Sequence, residues 1–303
     1  MSSFAGVIPP IISPLTADGT VDRTSMEALV ERQLSAGVDG IFALGSSGEA
    51  VYLRDEERRT VIDIVVGAVA GAVPVFAGAV EATTNRVIEQ VRWLEDAGVD
   101  VLVVTPPFYA DVTAAETKRH FTLVAAASSL PVFAYDIPSN VGRKLQAQTT
   151  VELLGDHTLA GLKDSSGDVA QFAEVIAGLG PTRRASILTG ADTGALAALD
   201  AGADGIVPGI GNVQPTLFVE LVAAFRADDR ARCESLQASI TELTEVFRVG
   251  QRHGIGRHAS ELGGLKTALQ HAGLIGSATV SPPMSPYPPA ARTELLRVLE
   301  ETT

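Results

Sequence analysis

Lys163 closes the stretch Leu159-Ala160-Gly161-Leu162-Lys163-Asp164-Ser165-Ser166-Gly167-Asp168, an apolar run that ends on a lysine and then turns polar. Strand alternation puts Leu159, Gly161 and Lys163 on one face, so an amine stands at a strand end with a glycine beneath it. The chain holds four lysines. Lys118, Lys144 and Lys266 fall in polar helical or loop contexts, and Lys163 alone follows a buried-looking strand. Burial disfavours an ammonium, and a lysine held among apolar neighbours loses basicity until its neutral amine can attack a carbonyl and form a Schiff base. The segment also fits a strand-end lysine that snorkels to solvent.

Other strand ends carry polar groups that such chemistry would need. In Gly45-Ser46-Ser47-Gly48-Glu49, two glycines allow a tight turn, and two hydroxyls with their N–H groups can cradle a carboxylate or form an ordinary Gly/Ser turn. Thr105-Pro106-Pro107-Phe108-Tyr109 is an aromatic loop or a packing lid. Tyr135-Asp136-Ile137-Pro138 sets a phenol on the strand before that of Lys163, placed for proton transfer or for amphipathic packing. Thr189-Gly190-Ala191-Asp192 and Val207-Pro208-Gly209-Ile210-Gly211-Asn212 can bring backbone close to a ligand, although Asp192 would oppose a phosphate. The five histidines show no two-His-plus-carboxylate spacing on one element, which disfavours a metal-dependent aldolase.

These residues need a scaffold that gathers strand ends. Ala36-Gly37-Val38-Asp39, Ala97-Gly98-Val99-Asp100 and Ala201-Gly202-Ala203-Asp204 repeat one plan: a helix stopping on glycine, a turn, and an apolar strand. Apolar runs near 6–13, 39–44, 74–78, 100–104, 131–135, 159–163, 185–189 and 204–207 alternate with amphipathic stretches, beginning with a helix capped by the Thr24–Glu27 box. Eight such units predict an α/β fold, a (β/α)8 TIM barrel over 1–227, followed by a C-terminal helical extension over 228–303 with helices near 229–251, 259–273 and 288–301. In that fold, the strand ends form the active site. No GxGxxG follows the first strand, which weakens the doubly wound alternative.

Composition bounds the partners. A 303-residue chain with 46% hydrophobic and 19% charged residues can bury a large core. A net charge of -13 argues against nucleic acid and anionic membranes, and an anionic substrate would need local positive charge. Cys233 is alone, so no disulfide framework or thiolate metal site is available. Met1 to Gly6 lacks a leader pattern, and Val61 to Val80 is broken by Asp63, glycines and Pro74, so a cytoplasmic setting is expected.

Taken together, GSSGE (45–49), TPPFY (105–109), YDIPSNVG (135–142), GLKDSSGD (161–168), TGAD (189–192) and GADGIVPGIGNV (202–213) resemble the dihydrodipicolinate synthase / N-acetylneuraminate lyase family of pyruvate-dependent class I aldolases, in order along the whole chain. The resemblance implies an imine between Lys163 and pyruvate or a 2-keto acid. It implies that Ser46 and Ser47 hold the carboxylate, that Tyr135 is the acid/base, and that Gly190 and Ile206 line the pocket. It implies no cofactor and no metal, and a homotetramer of tight dimers whose Phe108–Tyr109 loop reaches a neighbour's site. Two positions depart from the family pattern. The relay tyrosine falls on Phe108, with Tyr109 one place later, and the arginine that binds a second carboxylate falls on Asn140. An amide suits sugar hydroxyls better than a lone anion, so 2-keto-3-deoxy sugar acids are the expected substrates. Dihydrodipicolinate synthase is the alternative, kept open by Arg143, which could fold back to supply the missing charge. A catalytically silent sugar-acid-binding barrel is the non-enzymatic alternative.

Overall fold

The computed structural model describes residues 4–302. Eight parallel strands run in sequence: β1 (Gly6–Val7), β2 (Ile41–Ala43), β3 (Val75–Gly78), β4 (Val101–Val104), β5 (Val132–Asp136), β6 (Gly161–Asp164), β7 (Ser186–Thr189) and β8 (Gly205–Ile206). They are hydrogen-bonded in the order β1-β8-β7-β6-β5-β4-β3-β2. A parallel bridge from Pro10 to Phe42 joins the two ends, so the sheet closes into a barrel. The expected first strand, 6–13, is only two residues long because Pro9 and Pro10 have no N–H to give to the ladder.

Helices α1 (Arg23–Ser35), α2 (Asp55–Val69), α3 (Thr84–Asp96), α4 (Ala114–Ala126), α5 (Pro138–Val141), α6 (Ala147–Gly155), α7 (Val169–Leu179) and α8 (Ala195–Asp200) connect the strands, and α9 (Pro215–Arg226) follows the last of them. The cap of α1 is Asp22 rather than Thr24: its carboxylate accepts the Ser25 N–H at 3.1 Å and the Ser25 hydroxyl at 2.6 Å, which draws Thr24 into the first turn. The one-turn helix α5, which carries Asn140, has no sequence periodicity to announce it. Pro138 starts it and a left-handed Gly142 ends it.

The repeated Ala-Gly-X-Asp unit has a second function beyond stopping helices. Each aspartate reaches the preceding strand and accepts a backbone N–H: Asp39 from Val7 at 2.8 Å, Asp100 from Val75 at 2.8 Å, and Asp204 from Ile187 at 2.7 Å. Short strands leave donors unpaired at the closed end of the barrel, and a carboxylate satisfies each of these more strongly than a neutral acceptor would.

Inside the barrel, Phe42, Phe76, Phe133, Val101, Val103 and Leu188 fill the lower layers, sealed from below by Phe4 at 5.3 Å from the Phe76 ring and 5.8 Å from the Phe133 ring. The outer faces of the strands pack a second, larger apolar layer against the helices. Beyond Arg226 come α10 (Arg230–Leu243), α11 (Val249–Arg252), α12 (Arg257–His271) and α13 (Pro289–Thr302). The single helix expected over 229–251 is interrupted by a tighter 3-10 turn at Thr244–Phe247. The start of α12 lies over the open end of the barrel, where Arg257, His258, Glu261 and Leu262 line the same cavity as Lys163.

Candidate active site

Lys163 stands on β6 directly opposite Tyr135 of β5 in the strand register. Gly161, two residues earlier on the inward face, leaves room for the Phe133 ring: a Cβ there would lie 2.2 Å from a ring carbon. Leu159 does not share that face. It precedes the strand and packs in the outer layer, so the alternation begins only at Gly161. The lysine is 4% exposed, with its Nζ 3.8 Å from the Tyr135 ring centre and 4.6 Å from that of Phe42. Burial lowers its basicity, opposed by the Tyr135 oxygen and by Asp192. It does not snorkel to solvent.

Tyr135 is 2% exposed. Burial alone would raise its phenol, but the Lys163 charge and hydrogen bonds with Ser46, Lys163 and Ser165 bring it below the ordinary value. An amine made less basic thus faces a phenol made more acidic, which narrows the gap in proton affinity between them. Gly190 matters by absence, because a Cβ there would lie 2.0 Å from the Ser165 hydroxyl and 3.4 Å from Lys163 Cε.

Ser46 and Ser47 both line the cavity, and Ser46 Oγ lies 3.4 Å from the Tyr135 hydroxyl. Their loop is strained, with Leu44 at φ 53° and Glu49 at φ 58°. Glu49 holds it in place. Its fully buried carboxylate accepts the Ser281 N–H at 2.8 Å and forms an ion pair with Lys266 of α12, which also donates to the Thr279 carbonyl at 2.7 Å. Lys266 is 0% exposed, so the polar helical setting expected for it does not hold: helix α12 buries this position against the loop after β2.

The walls of the cavity, about 210 Å³ in volume, add Ser139, Asn140, Ser165, Gly190, Asp192 and Val207. Asp192 is a further acid of the site, raised to about 7 by burial, against the pull of the Ile210 N–H and of Lys163. The TGAD strand end made it readable from sequence as a polar group, though not as one partly withdrawn from water and raised in pKa. Arg257 and Glu261, joined at 3.0 Å, resemble in sequence an ordinary exposed i,i+4 pair on a helix, and only the packing of α12 over the barrel brings them to the mouth.

Two expectations about cavity residues are corrected. Ile206 packs in the outer layer, and its neighbour Val207 faces the barrel interior, because adjacent strand residues point to opposite sides. Arg143 does not fold back to Lys163; it binds Asp111 at 2.8 Å and the Val112 carbonyl, away from the cavity. Tyr109 is fully exposed at φ 76°, whereas Phe108 lines an adjoining cavity of about 310 Å³ that shares Ser46, Ile137, Ser139, Asn140, Arg257 and His258 with the first.

Among the described residues, no group of three or more His, Cys, Asp or Glu side chains is placed to hold a metal ion, and no helix is long and apolar enough to cross a membrane.

The family model described as the dihydrodipicolinate synthetase family matches residues 3–302. An uncharacterized DapA-like lyase of Halobacterium salinarum is 32% identical over 270 residues, covering 88% of each chain. A 4-hydroxy-tetrahydrodipicolinate synthase of Methanoculleus marisnigri is 32% identical over 248 residues, covering 80% of this chain and 84% of that one. YagE of Escherichia coli K12, provisionally named a 2-dehydro-3-deoxy-D-gluconate aldolase, is 30% identical over 301 residues, 98% of this chain and 97% of its own. The crystal structure of YagE in complex with pyruvate superposes with a TM-score of 0.92 at 29% identity over 99% of both chains.

Proposed function

Because this chain belongs to the dihydrodipicolinate synthetase family of lyases, we propose that it is a Schiff-base class I aldolase that cleaves 2-keto-3-deoxy sugar acids, or related 2-keto acids, into pyruvate and an aldehyde. The observation that carries the reading is a desolvated amine at the floor of a polar cavity, facing a phenol 3.8 Å away from ring centre to Nζ.

In this reading Lys163 Nζ adds to the C2 carbonyl and water leaves, which forms a protonated imine. Ser46 and Ser47 hold the C1 carboxylate. Tyr135 takes the proton of the C4 hydroxyl, the C3–C4 bond breaks, and its electron pair moves into the imine to give an enamine while the aldehyde departs. Protonation at C3 and hydrolysis then release pyruvate and restore the lysine. The imine nitrogen is the electron sink, so the proposal needs neither metal nor cofactor. Residues 228–303 are read as part of this catalytic unit, since α12 supplies the cavity mouth. A homotetramer is proposed as well, with the exposed Tyr109 loop turned toward a neighbouring subunit.

The sugar-acid preference is supported by Asn140 at the mouth and by Arg143 turned toward Asp111. The second reading is 4-hydroxy-tetrahydrodipicolinate synthase, favoured by the guanidinium of Arg257 at the same mouth. Glu261 offsets that charge at 3.0 Å, which lowers its value for a substrate carboxylate.

Borohydride reduction with pyruvate should add a pyruvyl mass to the peptide containing Lys163, and kcat/KM for a 2-keto-3-deoxyhexonate should exceed that for pyruvate with aspartate semialdehyde. A reversed order would select the second reading. An absent adduct would leave a silent barrel.

A further inference from the structure

Arg257 reaches the cavity from the first turn of α12 and binds one cavity residue in particular. Its Nη2 donates to Asn140 Oδ1 at 3.0 Å and lies 3.4 Å from the Ser139 carbonyl, while its Nη1 donates to Glu261 at 3.0 Å. The Ser139 hydroxyl donates to the same Asn140 oxygen at 3.1 Å. A guanidinium has donors and no acceptor, so the amide can face it in only one way, oxygen toward Arg257 and NH2 away. The opposite orientation would set N–H against N–H. The NH2 group is left toward the cavity, where Ser46 Oγ at 3.5 Å is too distant to hold it firmly.

We propose that Arg257 is a positioning residue that makes Asn140 a pure donor toward the aldehyde-derived end of the substrate, and so selects acids hydroxylated beyond C4. The inference rests on the sugar-acid reading and sharpens it. Each hydroxyl there can accept from the amide and donate to Glu261 or Asp192, which line the same cavity. An unsubstituted alkyl tail would leave the amide hydrogens without an acceptor once water is excluded, and that omission carries a penalty. A terminal carboxylate or phosphate would meet two acidic side chains, with the one nearby guanidinium already shared with Glu261.

The test compares kcat/KM for a 2-keto-3-deoxyhexonate with that for 4-hydroxy-2-oxopentanoate, which has the same reacting carbons and no distal hydroxyls. The ratio of the two should fall about ten-fold in Arg257→Leu and in Asn140→Asp, the loss expected for one hydrogen bond made by the substrate. Arg257→Lys, which keeps a donor for the amide oxygen, should recover part of it. A loss spread equally over both acids, or a ratio that does not move, overturns the inference alone, because a merely structural Arg257 would affect the two acids alike. A wild-type enzyme that cleaves only the shorter acid overturns the sugar-acid reading and the inference together.

Discussion

Two lysines lie inside this molecule, one at the end of barrel strand β6 and one on the C-terminal helix α12, and they are held in opposite ways. Lys163 has aromatic rings for neighbours and a cavity in front of it; among its described contacts there is no carboxylate within ion-pair distance. Lys266 has a buried carboxylate and a backbone carbonyl as partners. Burial lowers the basicity of both; the Tyr135 oxygen and the more distant Asp192 oppose this at Lys163, and the Glu49 carboxylate in direct ion-pair contact opposes it at Lys266. Desolvation alone therefore does not make a nucleophile. It does so where the neutral amine has room for a carbonyl, and where a partner is supplied instead, the same side chain becomes a tie between distant segments.

The contrast breaks most decisively at Lys163 itself. Lys163→Met should lower kcat by several orders of magnitude and abolish the borohydride adduct, since no other residue can supply the imine. Its urea unfolding midpoint should not fall, because an amine with no ion-pair partner is replaced by an apolar chain of similar size. Residual turnover with an intact adduct would place the imine elsewhere.

Tyr135→Phe should be the next largest effect, about 100- to 10,000-fold in kcat, with the pyruvate adduct still formed. Loss of the adduct along with turnover would mean that the phenol is needed for imine formation rather than for bond cleavage.

At the other lysine the expected loss is in stability. Lys266→Met leaves Glu49 buried without its cation and should cost about 3–5 kcal/mol in urea unfolding. Lys266→Met with Glu49→Gln should recover most of that, because the amide keeps an acceptor for the Ser281 N–H without a buried charge. If the single variant unfolds like the wild type, the distinction between the two sites fails.

The smallest effect sharpens the picture around Lys163. Asp192 is raised from 3.8 to about 7 in the folded protein, so between those values the folded state binds more protons than the unfolded one, and stability falls as pH rises through that window. Asp192→Asn lacks this dependence. The Tm of Asp192→Asn minus that of the wild type should therefore be more positive at about pH 8 than at about pH 5. A difference independent of pH would mean that Asp192 is charged throughout.

The sequence alone was enough to establish the eight strand–helix units, since Gly-terminated helices and apolar strands are local signals repeated along the chain, and each unit buries its own apolar face in the same way. The catalytic candidates Lys163 and Tyr135 and the substrate-binding candidates Ser46 and Ser47 were legible for a related reason: in a closed parallel barrel, chain order fixes which strand ends meet, so a polar residue at the end of an apolar run is already placed, whereas the lining role of Gly190 came from the family resemblance. Charge pairing between distant segments has no such local sign. Whether Arg143 or Arg257 would face the cavity depended on where a loop and a C-terminal helix came to rest, with Arg257 meeting Asn140 across 117 positions. The aspartates of the Ala-Gly-X-Asp repeat acquired their acceptor role only when neighbouring strands were brought together. Lys266 gave the same helical signature as an exposed residue until α12 packed against the loop holding Glu49, whose other oxygen reaches Ser281 across 232 positions. Periodicity records which face of an element is apolar, whereas the partner of a buried charge is set by the closure of the whole chain, and only the tertiary structure decides it.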